Sequence, residues 1–195
     1  MTAFKGSKTA ENLMKAFAGE SQAKNRYTFY AKEAINEGFE QIAEIFRETA
    51  DNEEMHAKLY FKHLVENLGK DAVEINGAMY PVALGKTEEN LQSAAEGECE
   101  EWTVLYPGFG KVAEEEGFPK IAKTFFNIIK VEEKHEARYN KLLENVKNGA
   151  VFKKETKVLW KCRRCGAIFE SPVAPAKCPV CDHPQAYFEI FVENY

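Results

Sequence analysis

The stretch VEEKHEARY, residues 131–139, sets Glu132 and His135 one helical turn apart, and DNEEMHAKLY at 51–60 repeats the arrangement with Glu53 and His56. On an α-helix, residues i and i+3 share a face, so each pair can aim a carboxylate and an imidazole at a common point. A single Glu-x-x-His is ordinarily a solvated ion pair. Two copies in matching places along one chain suggest two halves of a metal site.

The two copies belong to an internal repeat. TAENLMKAFAGES at 9–21 matches TEENLQSAAEGEC at 87–99 in 7 of 13 positions at an offset of 78, and EGFEQIAEIF pairs with EGFPKIAKTF. From Tyr27/Tyr106 through Gly38/Gly117 to His56/His135 the offset is 79, so one residue has been added between Glu98 and Tyr106. A continuous helix absorbs an extra residue most readily as a π-bulge, which predicts a bulge or kink between Glu98 and Pro107. The repeat also pairs Glu20 with Glu98, so each half offers one Glu and one Glu-x-x-His. This is the ligand inventory of di-iron and di-manganese carboxylate bundles. Carboxylates with imidazole suit iron or manganese, and bridging carboxylates can hold two cations close together.

Around these residues, apolar positions recur at helical spacing. They predict long helices from Thr9, read as an N-cap, to about Gly38; from Glu40 to Asn67; from near Thr87 onward; and from Pro119 to Asn148 and Gly149. The Gly- and Pro-containing segment between the second and third helices cannot be a long helix. One long connection in the middle of four helices predicts a ferritin-like bundle over 1–149 rather than a simple up-down-up-down bundle. Residues 150–195 turn to short β-branched and aromatic runs (KVLWKC, AIFES, AYFEIFV), which predict a small β-rich module joined through VFKKET. The fold class expected is therefore mainly α, a four-helix bundle with a small β-rich C-terminal domain.

Several residues near the repeat admit more than one role. Glu101 lies one turn beyond Glu98, and from spacing alone it is as compatible with the surface as with the site, because WT and a YPG turn follow it. Tyr27 and Tyr106 stand two turns after Glu20 and Glu98, where their hydroxyls could bond the site carboxylates. Cys99 reads as a small core residue, and His63 and His183 as surface residues.

The other four cysteines form WKCRRCG at 160–166 and KCPVCDH at 177–183. Together they make C-x2-C-x12-C-x2-C, the signature of one tetrahedral metal site with thiolates Cys162, Cys165, Cys178 and Cys181. The spacing leaves iron and zinc both open. With iron the module would carry one electron at a time. Trp160, Phe169, Tyr187, Phe188 and Phe191 would supply its core.

The net charge is −5, with 19 Lys and Arg against 26 Asp and Glu over 1–149 and 7 against 5 over 150–195. No basic excess exists to bind nucleic acid or an anionic membrane. The N-terminal sequence has no signal-peptide pattern, and no apolar run is long enough to span a bilayer, which points to a cytoplasmic protein.

With ENLMKAFAGESQAKNRY, EEMH, GECEEWTVLYP, EEKH and the cysteine pairs together, the chain resembles the rubrerythrin family over nearly its whole length, its cysteine module resembling a rubredoxin domain. The resemblance implies a carboxylate-bridged di-iron site with Glu20, Glu53, Glu98, Glu101, Glu132 and His135 as ligands. Glu53 and Glu132 would bridge, and His56 would exchange with Glu101 as the redox state changes. Cys99 and Glu100, between the two site glutamates, depart from the family pattern without touching these ligands. The resemblance further implies reduction of hydrogen peroxide to water, protection against oxidative stress, and a homodimer or higher homo-oligomer. Electrons would pass through a rubredoxin-like iron from an external donor such as a rubredoxin or an NAD(P)H-dependent reductase. A ferroxidase that oxidises Fe(II) is the alternative activity, and a zinc-stabilised binding scaffold the alternative class. A scaffold has no need of the repeated carboxylates, and an iron store little need of a fused one-electron carrier.

Overall fold

The computed structural model describes residues 3–194. Five α-helices are followed by a three-stranded sheet: α1 Lys8–Asn36, α2 Glu40–Leu68, α3 Thr87–Glu100, α4 Tyr106–Glu115 and α5 Pro119–Lys147, then β1 Lys153–Cys162, β2 Ile168–Val173 and β3 Phe188–Ile190. A π-helical turn, Glu101–Leu105, joins α3 to α4 without a break. The predicted bulge is present, and four long rods result. Tyr106, Pro107 and Gly108 open α4, so the expected YPG turn does not form. Proline is tolerated there because the neighbouring π turn already displaces the backbone hydrogen bonds that its missing N–H would otherwise break.

The helix ends reuse the repeat. Gly38 and Gly117 take positive φ (81° and 89°) at equivalent places, letting Phe39 N–H reach Ala34 O and Phe118 N–H reach Ala113 O. These are Schellman-type stops that turn each rod back on the next. Ser7, not Thr9, caps α1, its Oγ accepting from Ala10 N–H at 3.1 Å. Thr9 instead gives its N–H and hydroxyl to Glu116 from the second half. Glu37, the counterpart of Glu116, accepts Thr87 N–H at the start of α3. Each half thus places a carboxylate at the positive end of the other half's first helix, where the helix dipole favours it.

Two apolar clusters fill the bundle. One gathers Tyr27, Tyr30, Ile42, Phe46, Leu91, Tyr139 and Leu142, and the other Leu13, Tyr60, Leu64, Tyr106, Ile121 and Phe125. Along α1, α2 and α5 the chain passes from one cluster to the other, and Glu20, Glu53/His56 and Glu132/His135 fall between them. The site is therefore a polar layer within an apolar bundle. Because α2 ends in one cluster and α3 begins in the other, the connection must run the length of the bundle. Residues 69–86 do so without regular structure, pinned by Tyr80 Oη to Lys15 O at 3.1 Å and by Tyr30 Oη to Ala83 O at 2.9 Å.

In the C-terminal sheet the order is β2-β1-β3, antiparallel throughout, with Trp160 opposite Phe169 and Ile190. β1 begins at Lys153, so most of VFKKET is strand rather than linker, its register irregular between Lys153 and Val158. Trp160, Cys162, Ala174, Cys178 and Phe188 are the buried core. Phe152 packs against it where Phe191 was expected, and stacks on Phe39 at the α1–α2 corner with centroids 6.1 Å apart. Phe191 falls just past the end of β3, beyond that core.

Candidate metal centres

Glu53 and His56 project from α2, and Glu132 and His135 from α5, both at i and i+3, into the layer between the clusters. Glu20 from α1 and Glu98 from α3 complete it, and all six side chains are buried. Two groups of four form: Glu20, Glu53, His56 and Glu132, and Glu53, Glu98, Glu132 and His135, each with one ligand atom per residue within 4.8 Å of the others. Glu53 and Glu132 belong to both. Glu53 Oε2 lies 2.8 Å from His56 Nδ1 while its Oε1 lies 3.1 Å from His135 Nδ1. Glu132 divides its oxygens the same way, 2.9 Å to each histidine. Each carboxylate therefore faces both groups at once, the geometry of a bridge between two cations.

The donor atoms fit such a pair. Glu20 Oε2, Glu53 Oε1, Glu98 Oε2, both oxygens of Glu132 and His135 Nδ1 are buried without a conventional hydrogen-bond partner among the described residues. Buried polar atoms are nearly always satisfied, so a cluster of orphans is a cluster of waiting ligands. Proton affinities tell the same story. Burial and the neighbouring Glu53 push the Glu98 carboxyl up to about 8. Burial, then Glu53, Glu101 and Glu132, raise Glu20 well above the carboxylate range, and burial with Glu98 does so for Glu101. Burial works against the histidinium forms, but the Glu132 and Glu53 carboxylates that face each ring at about 3 Å favour the charged rings more strongly and raise His56 to about 10 and His135 to about 12. Burial would also raise Glu53, but the two histidines hold it down to about 2. Without metal, protons do the neutralising that two cations would do.

Tyr27 Oη donates to Glu98 Oε1 at 2.5 Å and Tyr106 Oη to Glu20 Oε1 at 2.6 Å, so each expected tyrosine orients the carboxylate of the other half. Glu101 belongs to neither group of four. It stands half-buried at the start of the π turn, electrostatically close to Glu98, Glu132 and Glu53. Cys99 is partly exposed rather than core. His63 is half-buried against the Thr124 hydroxyl at 2.8 Å, and His183 is half-buried with Nδ1 3.0 Å from Cys181 O, so neither is free on the surface.

Three further residues complete the surroundings. Tyr60 and Tyr139 each follow a site histidine by four residues, are fully buried, and pack on Tyr106 and Tyr27 respectively. The shared spacing, His-x-x-x-Tyr at an offset of 79, was a signal for them. Asn52 holds His135 Nε2 through Oδ1 at 3.3 Å, but its counterpart is Val131, so the repeat gave no warning of it.

The four cysteines cluster as a second centre. Cys162 and Cys181 sulfurs are 3.7 Å apart, as are Cys165 and Cys178. A tetrahedron of metal–sulfur bonds near 2.3 Å has edges of about 3.8 Å, so the sulfurs already stand at ligand spacing. Burial opposes ionisation of Cys178, but the N–H groups of Val180 and Cys181 outweigh it and draw the thiol down to about 7.

A family model described as rubrerythrin matches residues 11–143, and one described as rubrerythrin, rubredoxin-like domain matches 160–189. The chain belongs to the rubrerythrin family. It is 60% identical over 195 residues to rubrerythrin-1 of Clostridium acetobutylicum and 55% identical over 196 to rubrerythrin of Clostridium perfringens, covering 100% of each chain in both cases. Among solved structures, nigerythrin in its fully reduced, all-ferrous state matches with a TM-score of 0.63 at 31% identity, covering 98% of this chain and 94% of that one. A Desulfovibrio desulfuricans bacterioferritin, whose di-iron site was seen in different catalytic states, matches with a TM-score of 0.65 at 25% identity, covering 73% and 82%. This rubrerythrin-family chain is a ferritin-like bundle with a carboxylate–histidine cluster for a di-iron site, followed by a rubredoxin-like four-cysteine cluster. Among the described residues no helix is long and apolar enough to cross a membrane.

Proposed function

We propose that this protein is a non-haem iron peroxidase that reduces hydrogen peroxide to water, as two units, the bundle over 1–149 and the electron-carrying module over 150–195. The observation that carries the reading is the sharing of Glu53 and Glu132 between two ligand groups in a chain that also holds four clustered thiolates. Glu20, Glu53, His56, Glu98, Glu101, Glu132 and His135 are the metal and catalytic residues of the bundle, and Cys162, Cys165, Cys178 and Cys181 hold the second metal. A ferrous pair held by these residues would supply two electrons together, enough for an O–O bond to break without release of a radical.

The chain's own residues set the conditions for that chemistry. Glu53 and Glu132 fix the spacing of the two ligand groups, and the apolar clusters on either side keep bulk water out, which strengthens every charge interaction within. Tyr27 and Tyr106 hold Glu98 and Glu20 in position and place two hydroxyl protons beside the site. Glu101, on the π turn, is the carboxylate free to approach the site or withdraw in exchange with His56. An iron held by Cys162, Cys165, Cys178 and Cys181 would take electrons from an external rubredoxin or NAD(P)H-dependent reductase, and the protein works as a homodimer or higher homo-oligomer in the cytoplasm against oxidative stress.

Steady-state assay of the iron-loaded protein with a rubredoxin-type donor tests this. Donor oxidation is expected to depend on hydrogen peroxide and to outrun Fe(II) oxidation by air. Faster accumulation of Fe(III) than peroxide-dependent donor oxidation would favour a ferroxidase instead.

A further inference from the structure

A cavity of about 230 Å³ opens beside the di-metal layer, roofed by Gly77–Pro81 of the crossover and floored by Tyr27, Glu101 and Tyr106. Most of its wall is apolar, from Ala16, Ala78, Leu105 and Phe109. Glu101 and Arg26 line it, Lys15 and Glu100 being the other charged residues in its wall, and Arg26 Nη1 is buried with no hydrogen-bond partner among the described residues. Two glycines keep the space open next to the ligand glutamates. A Cβ on Gly97 would meet nothing within 4 Å, and one on Gly19 would meet only the Tyr80 ring, at 3.6 Å.

The size and character of this chamber exceed what hydrogen peroxide needs. A water occupies about 30 Å³ of liquid, whereas a dry apolar cavity of about 150 Å³ accommodates benzene. Mostly apolar walls with a few converging polar groups are the mark of a site for an amphiphilic small molecule. Resting on the peroxidase reading above, we propose that the chamber admits small organic hydroperoxides, R–OOH, with the alkyl or aryl group under the Gly77–Pro81 roof and the peroxide end at Glu101 and Arg26. The unpartnered Arg26 N–H donates to a peroxide oxygen. Reduction breaks the O–O bond with two electrons from the ferrous pair of the loaded protein and two protons, and releases one alcohol, ROH, and one water.

Gly97→Leu tests the assignment, because leucine is favoured over glycine inside a helix and its side chain would enter open space in the chamber. Two measurements are made on iron-loaded protein. The first is the ratio of kcat/KM for cumene hydroperoxide to that for hydrogen peroxide. The second is calorimetric binding of 2-phenylpropan-2-ol, the product alcohol, to the oxidised protein, which needs no turnover. Wild type is expected to reduce cumene hydroperoxide within about tenfold of its efficiency on hydrogen peroxide and to bind the alcohol. Gly97→Leu is expected to lower both the ratio and the alcohol affinity at least tenfold, with Gly97→Ala between. Reduction of hydrogen peroxide alone, or a ratio unmoved by leucine, overturns the chamber. Failure to reduce either peroxide overturns the peroxidase reading, and alcohol binding that leucine leaves unchanged still overturns the chamber on its own.

Discussion

Glu53 and Glu132 differ from the other site carboxylates in facing both histidines at about 3 Å. Losing either should damage both ligand groups, whereas losing Glu20 should damage one. Glu132→Ala is therefore expected to leave less than half the wild-type iron in the bundle, and Glu20→Ala about half, read by metal analysis after gel filtration. Tyr27→Phe and Tyr106→Phe keep the rings that pack the core and remove only the hydroxyls. Each is expected to leave the fold intact and lower iron affinity or peroxide turnover about 10–100-fold, the range for partners that orient metal ligands. Equal iron retention and turnover in both would show that the hydroxyls merely satisfy themselves. Much of this was legible in advance, because Glu-x-x-His repeated at a fixed offset has few other uses. Asn52 and Arg26 were not legible, since neither is matched in the other half and only folding brings them beside His135 and Glu101.

The π turn is where the two halves of the molecule stop being equivalent. Glu20 and Tyr27 are seven residues apart and Glu98 and Tyr106 eight, yet both tyrosines reach the opposite glutamate. The extra residue is absorbed in Glu101–Leu105, which also sets Glu101 at the chamber's edge. Deleting the exposed Thr103 would give the second half the spacing of the first. Its far-UV circular dichroism and Tyr106 hydrogen bond are expected to survive, while peroxide turnover falls at least tenfold through displacement of Glu101. Undiminished turnover would assign the bulge no part in the chemistry. The bulge could be read from an offset changing from 78 to 79, because insertions leave a trace in a repeat. The reciprocal caps from Glu37 and Glu116 could not, since each pairs with a helix start more than forty residues distant in sequence. Nor could the stacking of Phe39 on Phe152, which depends on how the sheet meets the bundle.

Across the whole molecule the buried site couples stability to pH and to metal. In metal-free protein Glu98 is raised from 4.5 to about 8 and His56 from 6.5 to about 10, so the folded state holds protons that the unfolded chain releases. Stability from a raised group is complete below its unfolded value and is lost as pH climbs through the folded one. The metal-free protein should therefore melt at progressively lower temperature from about pH 4.5 to 10. Glu53, held at about 2, acts oppositely but only at acid pH, where its contribution is lost as pH falls from 4.5. Metal must displace these protons, so iron binding is expected to release protons and strengthen over the same interval. A metal-free melting temperature that rises with pH would refute this account of the site. At the other centre, Cys178→Ser is expected to abolish the visible thiolate–Fe(III) absorption and donor-driven turnover while the reduced bundle still consumes peroxide once.

The union of these two centres in one peroxidase is tested most directly by one rapid-mixing experiment. Anaerobic, fully reduced, iron-loaded protein is mixed with stoichiometric hydrogen peroxide, and the thiolate–Fe(III) absorption is followed in time. The absorption is expected to return promptly, far faster than on mixing with an equal amount of dissolved oxygen. No return with peroxide, or a return with oxygen alone, would contradict it.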